Sequence, residues 1–184
     1  VSVLTFSDAG APPVVPAFGR HEAGACPRAP SHRPPRRCYN RRMSDTIPGP
    51  LFIERSFTVK TYDIDFAGHV SNIVYIRWLE DLRLALLDEY YPLDQSMADG
   101  AAPVLTRTEI DYKSPIRLFE PVTGRMWAGE TGKLRMELRA QFLVADRLCA
   151  DVRQQGVFAS LETGRPVRIP GELLTIYQAQ KMML

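Results

Sequence analysis

The sequence predicts an α+β domain: one long central helix wrapped by a curved antiparallel sheet of about five strands. Three observations predict it. A single long helical pattern, Asn72–Tyr90, is apolar on several sides and needs a sheet curved around it. One strand-like segment precedes that helix and four follow it. The last strands are joined by connections too short for parallel crossovers, so they must be antiparallel.

The elements follow in order. Leu51–Thr61 alternates in part, with Ile53, Phe57 and Val59 on one side, and reads as the first strand. Tyr62–Ser71 holds Asp, Gly, His and Ser and reads as a loop. In the helix, Tyr75, Leu79, Leu82 and Leu86 recur on one face, and Ile73, Ile76, Trp78 and Leu87 widen it. Ser71 is placed to cap its start, and Pro92 helps to stop it. Asp94–Ala102 reads as a loop. Val104–Lys113 alternates, with Val104, Ile110 and Tyr112 on one side and Arg107, Glu109 and Asp111 on the other. Pro115 and Pro121 bracket a connection to Val122–Glu130, where Trp127 is expected to pack. Thr131-Gly132-Lys133 signals a hairpin. Leu134–Val144 sets Met136, Leu138, Ala140, Phe142 and Val144 against Arg135, Glu137, Arg139 and Gln141. Leu148–Leu161 returns, with a bulge expected at Gly156. Pro170–Tyr177 reads as a short terminal helix.

The composition of the 184 residues bounds the function. Hydrophobic residues at 45% and charged residues at 24% fit a globular chain with a real core. A net charge of +2 gives no basic stripe for nucleic acid. No apolar run reaches the length of a membrane span, and a cytoplasmic location is expected. Cys26, Cys38 and Cys149 lack both a disulfide framework and zinc-ligand spacing.

Charge is uneven along the chain. Residues 1–42 hold seven Arg, two acids and seven of the fifteen prolines, which opposes both helix and sheet. They are expected to be a disordered tail lying outside the domain at 43–184. The favoured account is translated sequence upstream of a true start at Met43. A genuine disordered tail and a targeting segment are the other accounts.

The densest polar cluster is Tyr62-Asp63-Ile64-Asp65-Phe66-Ala67-Gly68-His69-Val70-Ser71-Asn72, at a helix N-terminus. Unpaired N–H groups and the positive dipole end there suit an anion or a polarised carbonyl oxygen. A calcium loop fails, because Ala67 and Val74 stand where oxygen ligands are needed. A metal on Asp63, Asp65 and His69 has no recognised ligand spacing. An ordinary turn and helix cap is the competing structural reading.

The string from Asp63 to Tyr75, followed by Glu80 and Arg83, resembles the signature of the 4-hydroxybenzoyl-CoA thioesterase family of hotdog-fold proteins. That signature runs Asp-x-Asp-x-x-Gly-His-Val-Asn-Asn-x-x-Tyr, with Ser71 departing where the first Asn is usual. Tyr112-Lys113-Ser114-Pro115-Ile116 also matches the family's layout, and the resemblance covers about residues 51–170. It implies the hotdog fold and hydrolysis of acyl-CoA thioesters without a cofactor or metal. It places the essential carboxylate on Asp65, as nucleophile or as the base that activates water. The backbone N–H at about Asn72 would stabilise the oxyanion. His69 would orient the loop or contact substrate, Asp63 would stabilise the loop, and Glu80 would pair with Arg83. Tyr75 and Trp78 would be core or acyl-pocket wall. Coenzyme A phosphates would meet basic residues at the mouth, with Lys113, Arg117, Lys133 and Arg135 as candidates. The resemblance also implies a homo-oligomer, dimer or tetramer, with the site between subunits. Hydrolysis of acyl carrier protein thioesters and a non-catalytic acyl-CoA-binding module are the alternatives.

Overall fold

The computed structural model describes residues 49–184. The Pro/Arg-rich segment read as a tail, 1–42, lies outside the described residues. Nine elements follow in chain order: β1 (Ile53–Thr58), α1 (Asn72–Tyr90), α2 (Leu93–Ala98), β2 (Ala101–Tyr112), β3 (Pro121–Thr131), β4 (Arg135–Val144), β5 (Arg147–Ser160), β6 (Pro166–Val167) and α3 (Gly171–Lys181). The strands form one antiparallel sheet in the order β1-β3-β4-β5-β2. β6 continues beside β5 past the end of β4, pairing Val167 with Phe158. β1 and β2 are therefore the two long edges.

The predicted α+β fold stands, and α1 occupies the predicted span to the residue. Its buried face carries Val74, Tyr75, Trp78, Leu79, Leu82, Leu86 and Leu87. Ile73 and Ile76, read as widening that face, instead lie open to solvent at 58% and 46% exposure. The first two turns of α1 are anchored by aromatic rings from the sheet. Trp78 stacks on Phe57 at 5.2 Å, and Tyr75 meets Phe142 edge-on at 5.5 Å. Gly124 makes this approach possible. A Cβ there would sit 2.6 Å from the Phe57 ring and 3.1 Å from Phe142.

Three local expectations are corrected. Part of the predicted loop 94–102 is helix α2, entered through Pro92, and its buried Ser96 donates to the Ala101 carbonyl at 2.9 Å. The bulge expected at Gly156 falls on the facing strand, where Thr106 is the extra residue between the Leu105–Gly156 and Arg107–Gln155 pairs. That insertion reverses the alternation within β2. Leu105, not Val104, shares the inner face with Thr108 and Ile110, whose partners are Gly156, Gln154 and Val152. The terminal helix runs four residues beyond Tyr177.

Burial also departs from simple alternation at Glu137. It stands on the polar side of β4, as read, yet it is buried. Arg139 and Arg153 hold it at 2.7 Å and 2.6 Å. Burial alone would push its carboxyl up. The two guanidinium groups outweigh that and hold it below the usual carboxylate range.

Candidate active site

The loop from β1 to α1 is shaped by backbone bonds. Thr61–Asp63 forms a single 3-10 turn. The buried Asp63 carboxylate accepts the Lys60 N–H at 2.8 Å, and its carbonyl accepts the Ser71 N–H at 2.8 Å. One aspartate thus ties both ends of the loop. Between them Ile64 and Val70 bridge, the Asp65 N–H donates to His69 O at 2.8 Å, and the Gly68 N–H donates to Asp65 O at 3.0 Å. Gly68 holds φ +77°, a conformation that favours glycine.

Asp65 sits half-buried at this turn. Its Oδ1 accepts the Ala67 N–H at 2.8 Å and, weakly, the His69 N–H at 3.4 Å. Oδ2 makes no hydrogen bond within the described residues. One oxygen is fixed and the other is free to accept a proton or attack a carbon.

Seven residues later α1 begins. Ser71 occupies the cap position with extended backbone, but its hydroxyl makes no cap bond. The first bonded amide is Val74, which donates to Ser71 O at 2.9 Å. The amides of Asn72 and Ile73 donate to no group among the described residues. The expected Ser71 side-chain cap is therefore absent, and the donors it would have occupied stay open at the positive end of the helix dipole.

A second connection backs the loop. The Val70 N–H donates to Ile116 O at 2.8 Å. Residues 113–120 are in turn clamped by Arg147. Its guanidinium donates to Ser114 Oγ at 2.9 Å, to Pro115 O at 2.5 Å and to Glu120 Oε1 at 2.7 Å. Glu120 Oε2 accepts the Arg117 N–H at 2.7 Å. Only the partners of Arg147, more than 25 positions away, reveal its role.

Asp65, His69, Asn72, Tyr75, Lys113 and Arg117 gather at this end of the sheet. The His69 ring is half-buried and makes no hydrogen bond among the described residues. Tyr75 is core, packed on Trp78, Phe142 and Tyr112, and burial pushes its phenol far above the usual range. Lys113 is exposed and pairs with Asp111 at 3.2 Å. Arg117 is exposed beside Ile116. Lys133 and Arg135 lie at the β3–β4 hairpin. β3 spans Pro121 to Thr131, so within one chain that hairpin is roughly 30 Å from the Asp65 end. Two further basic residues lie near the loop. Lys60 and Arg77 line a cleft of about 400 Å³ with Tyr62, Asp63 and Asp81, over Phe57 and Trp78. Glu80 and Arg83 pair as expected, and Arg83 also donates to Gln154 at 3.2 Å.

Among the described residues, no three His, Cys, Asp or Glu side chains converge as metal ligands. No helix among them is long and apolar enough to cross a membrane.

A family model described as the thioesterase-like superfamily matches residues 59–176, more than half of the chain. The chain belongs to the thioesterase-like superfamily. It is a thioester hydrolase. Solved structures agree on the fold. A predicted thioesterase from Bacillus stearothermophilus is 22% identical, with 70% of this chain and 96% of that one covered, at a TM-score of 0.63. The DHNA-CoA thioesterase from Staphylococcus aureus is 18% identical, covering 70% and 91%, at 0.64. A gentisyl-coenzyme A thioesterase is 21% identical, covering 66% and 99%, at 0.61. At such identities the likeness speaks to the fold, which is the hotdog architecture. No curated protein matches the chain.

Proposed function

We propose that this superfamily member hydrolyses acyl-coenzyme A thioesters, with Asp65 as general base or nucleophile and the Asn72 and Ile73 amides as the oxyanion site. The observation that carries the proposal is the pairing of a carboxylate with one free oxygen and a helix start whose first donors are unoccupied. The thioester carbonyl oxygen would accept those donors and the carbonyl carbon would face Asp65. On the base route, Asp65 takes a proton from water as the hydroxyl attacks the carbon. The tetrahedral oxyanion then collapses, the C–S bond breaks, and the proton passes from Asp65 to the coenzyme A thiolate. On the nucleophile route, the carboxylate attacks first, the C–S bond breaks and coenzyme A leaves as thiolate; water then hydrolyses the mixed anhydride, freeing the acid and the Asp65 carboxylate and supplying the thiol's proton. Trapping an acyl-enzyme with hydroxylamine separates the two. The likeness of Asp63–Tyr75 to the 4-hydroxybenzoyl-CoA thioesterase signature supports the role given to Asp65, and the coenzyme A moiety named for two structural neighbours supports the substrate class. Lys60, Arg77, Lys113 and Arg117 surround the loop and are assigned to the phosphates.

The active unit is proposed to be a homo-oligomer. β2 is a 12-residue edge with Val104 and Tyr112 each 46% exposed, and Ile73, Ile76 and Leu84 on α1 are also open. Covering both by a second copy would protect the edge. The experiment is thiol release across short, long and aromatic acyl-CoAs and acyl carrier protein thioesters, with light scattering on the same sample. A panel bound but not cleaved would overturn the assignment, and so would cleavage of carrier-protein thioesters alone.

A further inference from the structure

We propose that the Ser71 hydroxyl is a third donor of the oxyanion site, hydrogen-bonded in the transition state to the thioester oxygen that the Asn72 and Ile73 amides hold. The inference rests on the acyl-CoA reading of the Asp65 site and extends it to a side chain that the resemblance assigns no role.

Ser71 has the backbone of a helix cap, with φ −63° and ψ 144°, yet its hydroxyl caps nothing. Both of its backbone groups are committed. Its N–H donates to Asp63 O at 2.8 Å, and its carbonyl accepts the Val74 N–H at 2.9 Å. Those bonds tie the residue to the loop on one side and to α1 on the other, so only Oγ is left to turn. The residue is half-buried. No fully buried side-chain oxygen or nitrogen among the described residues lacks a partner, so an unbonded Oγ here opens outward. A serine at this place ordinarily stabilises the helix by bonding the second or third amide. Here the third, Val74, is taken by the Ser71 carbonyl, and the second, Ile73, is left open.

Geometry turns the missing bond into a donor. A cap hydroxyl that bonded Ile73 would stand on the line of that N–H. An incoming carbonyl oxygen takes the same point, because it needs the same donor. The serine then holds Oγ in a neighbouring staggered position on the same Cβ, within hydrogen-bond reach of that point. Its proton points to the oxygen that gathers negative charge as the carbonyl carbon turns tetrahedral, and the helix dipole favours the same charge. No base touches Oγ among the described residues: the Asp65 carboxylate bonds only the Ala67 and His69 amides. The hydroxyl therefore keeps its proton throughout and acts as a donor, not as a nucleophile. The signature that Asp63–Tyr75 resembles carries Asn at this place, and Ser and Asn share a side-chain donor.

The test compares the full chain with Ser71→Ala, Ser71→Thr and Asp65→Asn on the acyl-CoA that the wild type cleaves best, with a melting temperature read on each. Calorimetry measures binding of coenzyme A and of trifluoroacetonyl-coenzyme A, whose hydrated ketone mimics the tetrahedral species. Ser71→Ala should lower kcat on the order of 10- to 100-fold, with KM, melting temperature and the shape of the pH profile unchanged. It should weaken binding of the ketone about 10-fold and leave binding of coenzyme A as it was. Ser71→Thr keeps the hydroxyl and should keep most of the turnover. Wild-type kcat in Ser71→Ala overturns the donor. So does a loss of kcat that comes with a raised KM and a lowered melting temperature, which marks a structural role. The Asp65 reading fails separately: wild-type turnover in Asp65→Asn, with the ketone weakened in Ser71→Ala, removes the base and keeps the donor. If the wild type cleaves no acyl-CoA, the ketone decides alone, and equal binding by wild type and Ser71→Ala overturns the donor.

Discussion

Arg147→Ala isolates the clamp that positions the Asp65 loop. The side chain makes three hydrogen bonds to residues 114–120, one of them within an ion pair to Glu120. Charge-assisted bonds contribute about 1.5–3 kcal/mol each when buried, but the Arg147 side chain is 38% exposed and solvent screens the pair. A total loss of about 2 kcal/mol follows. For a domain of this size that is a fall of about 4–8 °C in melting temperature. The kinetic effect has a separate path. Ile116 O anchors Val70 N–H, and Val70 lies five residues after Asp65 and two before Asn72. Loosening 113–120 lets the carboxylate drift against the helix start, and displacements near 1 Å cost on the order of 10- to 100-fold in turnover. Glu120→Gln keeps one acceptor oxygen and turns the other into an NH2 donor, so it can serve Arg147 or the Arg117 amide but not both, and it should lose part of the same stability. The assays are differential scanning calorimetry and steady-state hydrolysis on the same preparations. An Arg147→Ala protein with wild-type melting temperature and turnover would refute the clamp.

Three other outcomes are expected. Glu137 has a folded pKa below its unfolded value, so its ion pairs contribute stability at neutral pH that is lost as pH falls through the folded value. Glu137→Gln should cost about 1–2 kcal/mol at pH 7 in urea denaturation, with the gap to wild type narrowing below about pH 4; a gap independent of pH would contradict this. Ser71→Ala should change stability by less than about 0.5 kcal/mol, because the hydroxyl makes no cap bond, whereas a working cap would cost about 1 kcal/mol. Gly124→Ala should destabilise by about 1–3 kcal/mol by forcing apart Phe57, Phe142 and Leu82; a neutral thermal melt would show that those side chains can yield.

The sequence was most legible where one period dominates. α1 carries enough apolar residues at helical spacing to fix its span, and β4 alternates apolar and polar residues from Arg135 to Phe142. Legibility failed where one residue breaks the period. Thr106 inserts into β2 and moves Val104 off the inner face, and a bulge is invisible to pattern counting. α2 was missed because six residues are too short to show a period. At the site, the Asp65 turn was marked by its own residues, since Asp65, Gly68 and His69 bond within five positions. Arg147 and the buried pairing of Gln154 were not, because their partners are far along the chain. Lys133 and Arg135 were named by charge alone, and within one chain their hairpin lies at the end of β3 away from Asp65.

The central claim is that Asp65 carries the chemistry while Asp63 holds the loop. Steady-state hydrolysis by Asp65→Asn and Asp63→Asn, with acyl-CoA binding measured by calorimetry, tests it directly. Asp65→Asn keeps the size and the Oδ1 acceptor but removes the basicity and most of the nucleophilicity. Turnover should fall by on the order of 100-fold or more, with binding retained. Asp63→Asn weakens a buried tie to the Lys60 amide and should lower stability by about 1 kcal/mol, with a much smaller loss of turnover. Wild-type turnover in Asp65→Asn, or a larger loss in Asp63→Asn than in Asp65→Asn, would contradict the account.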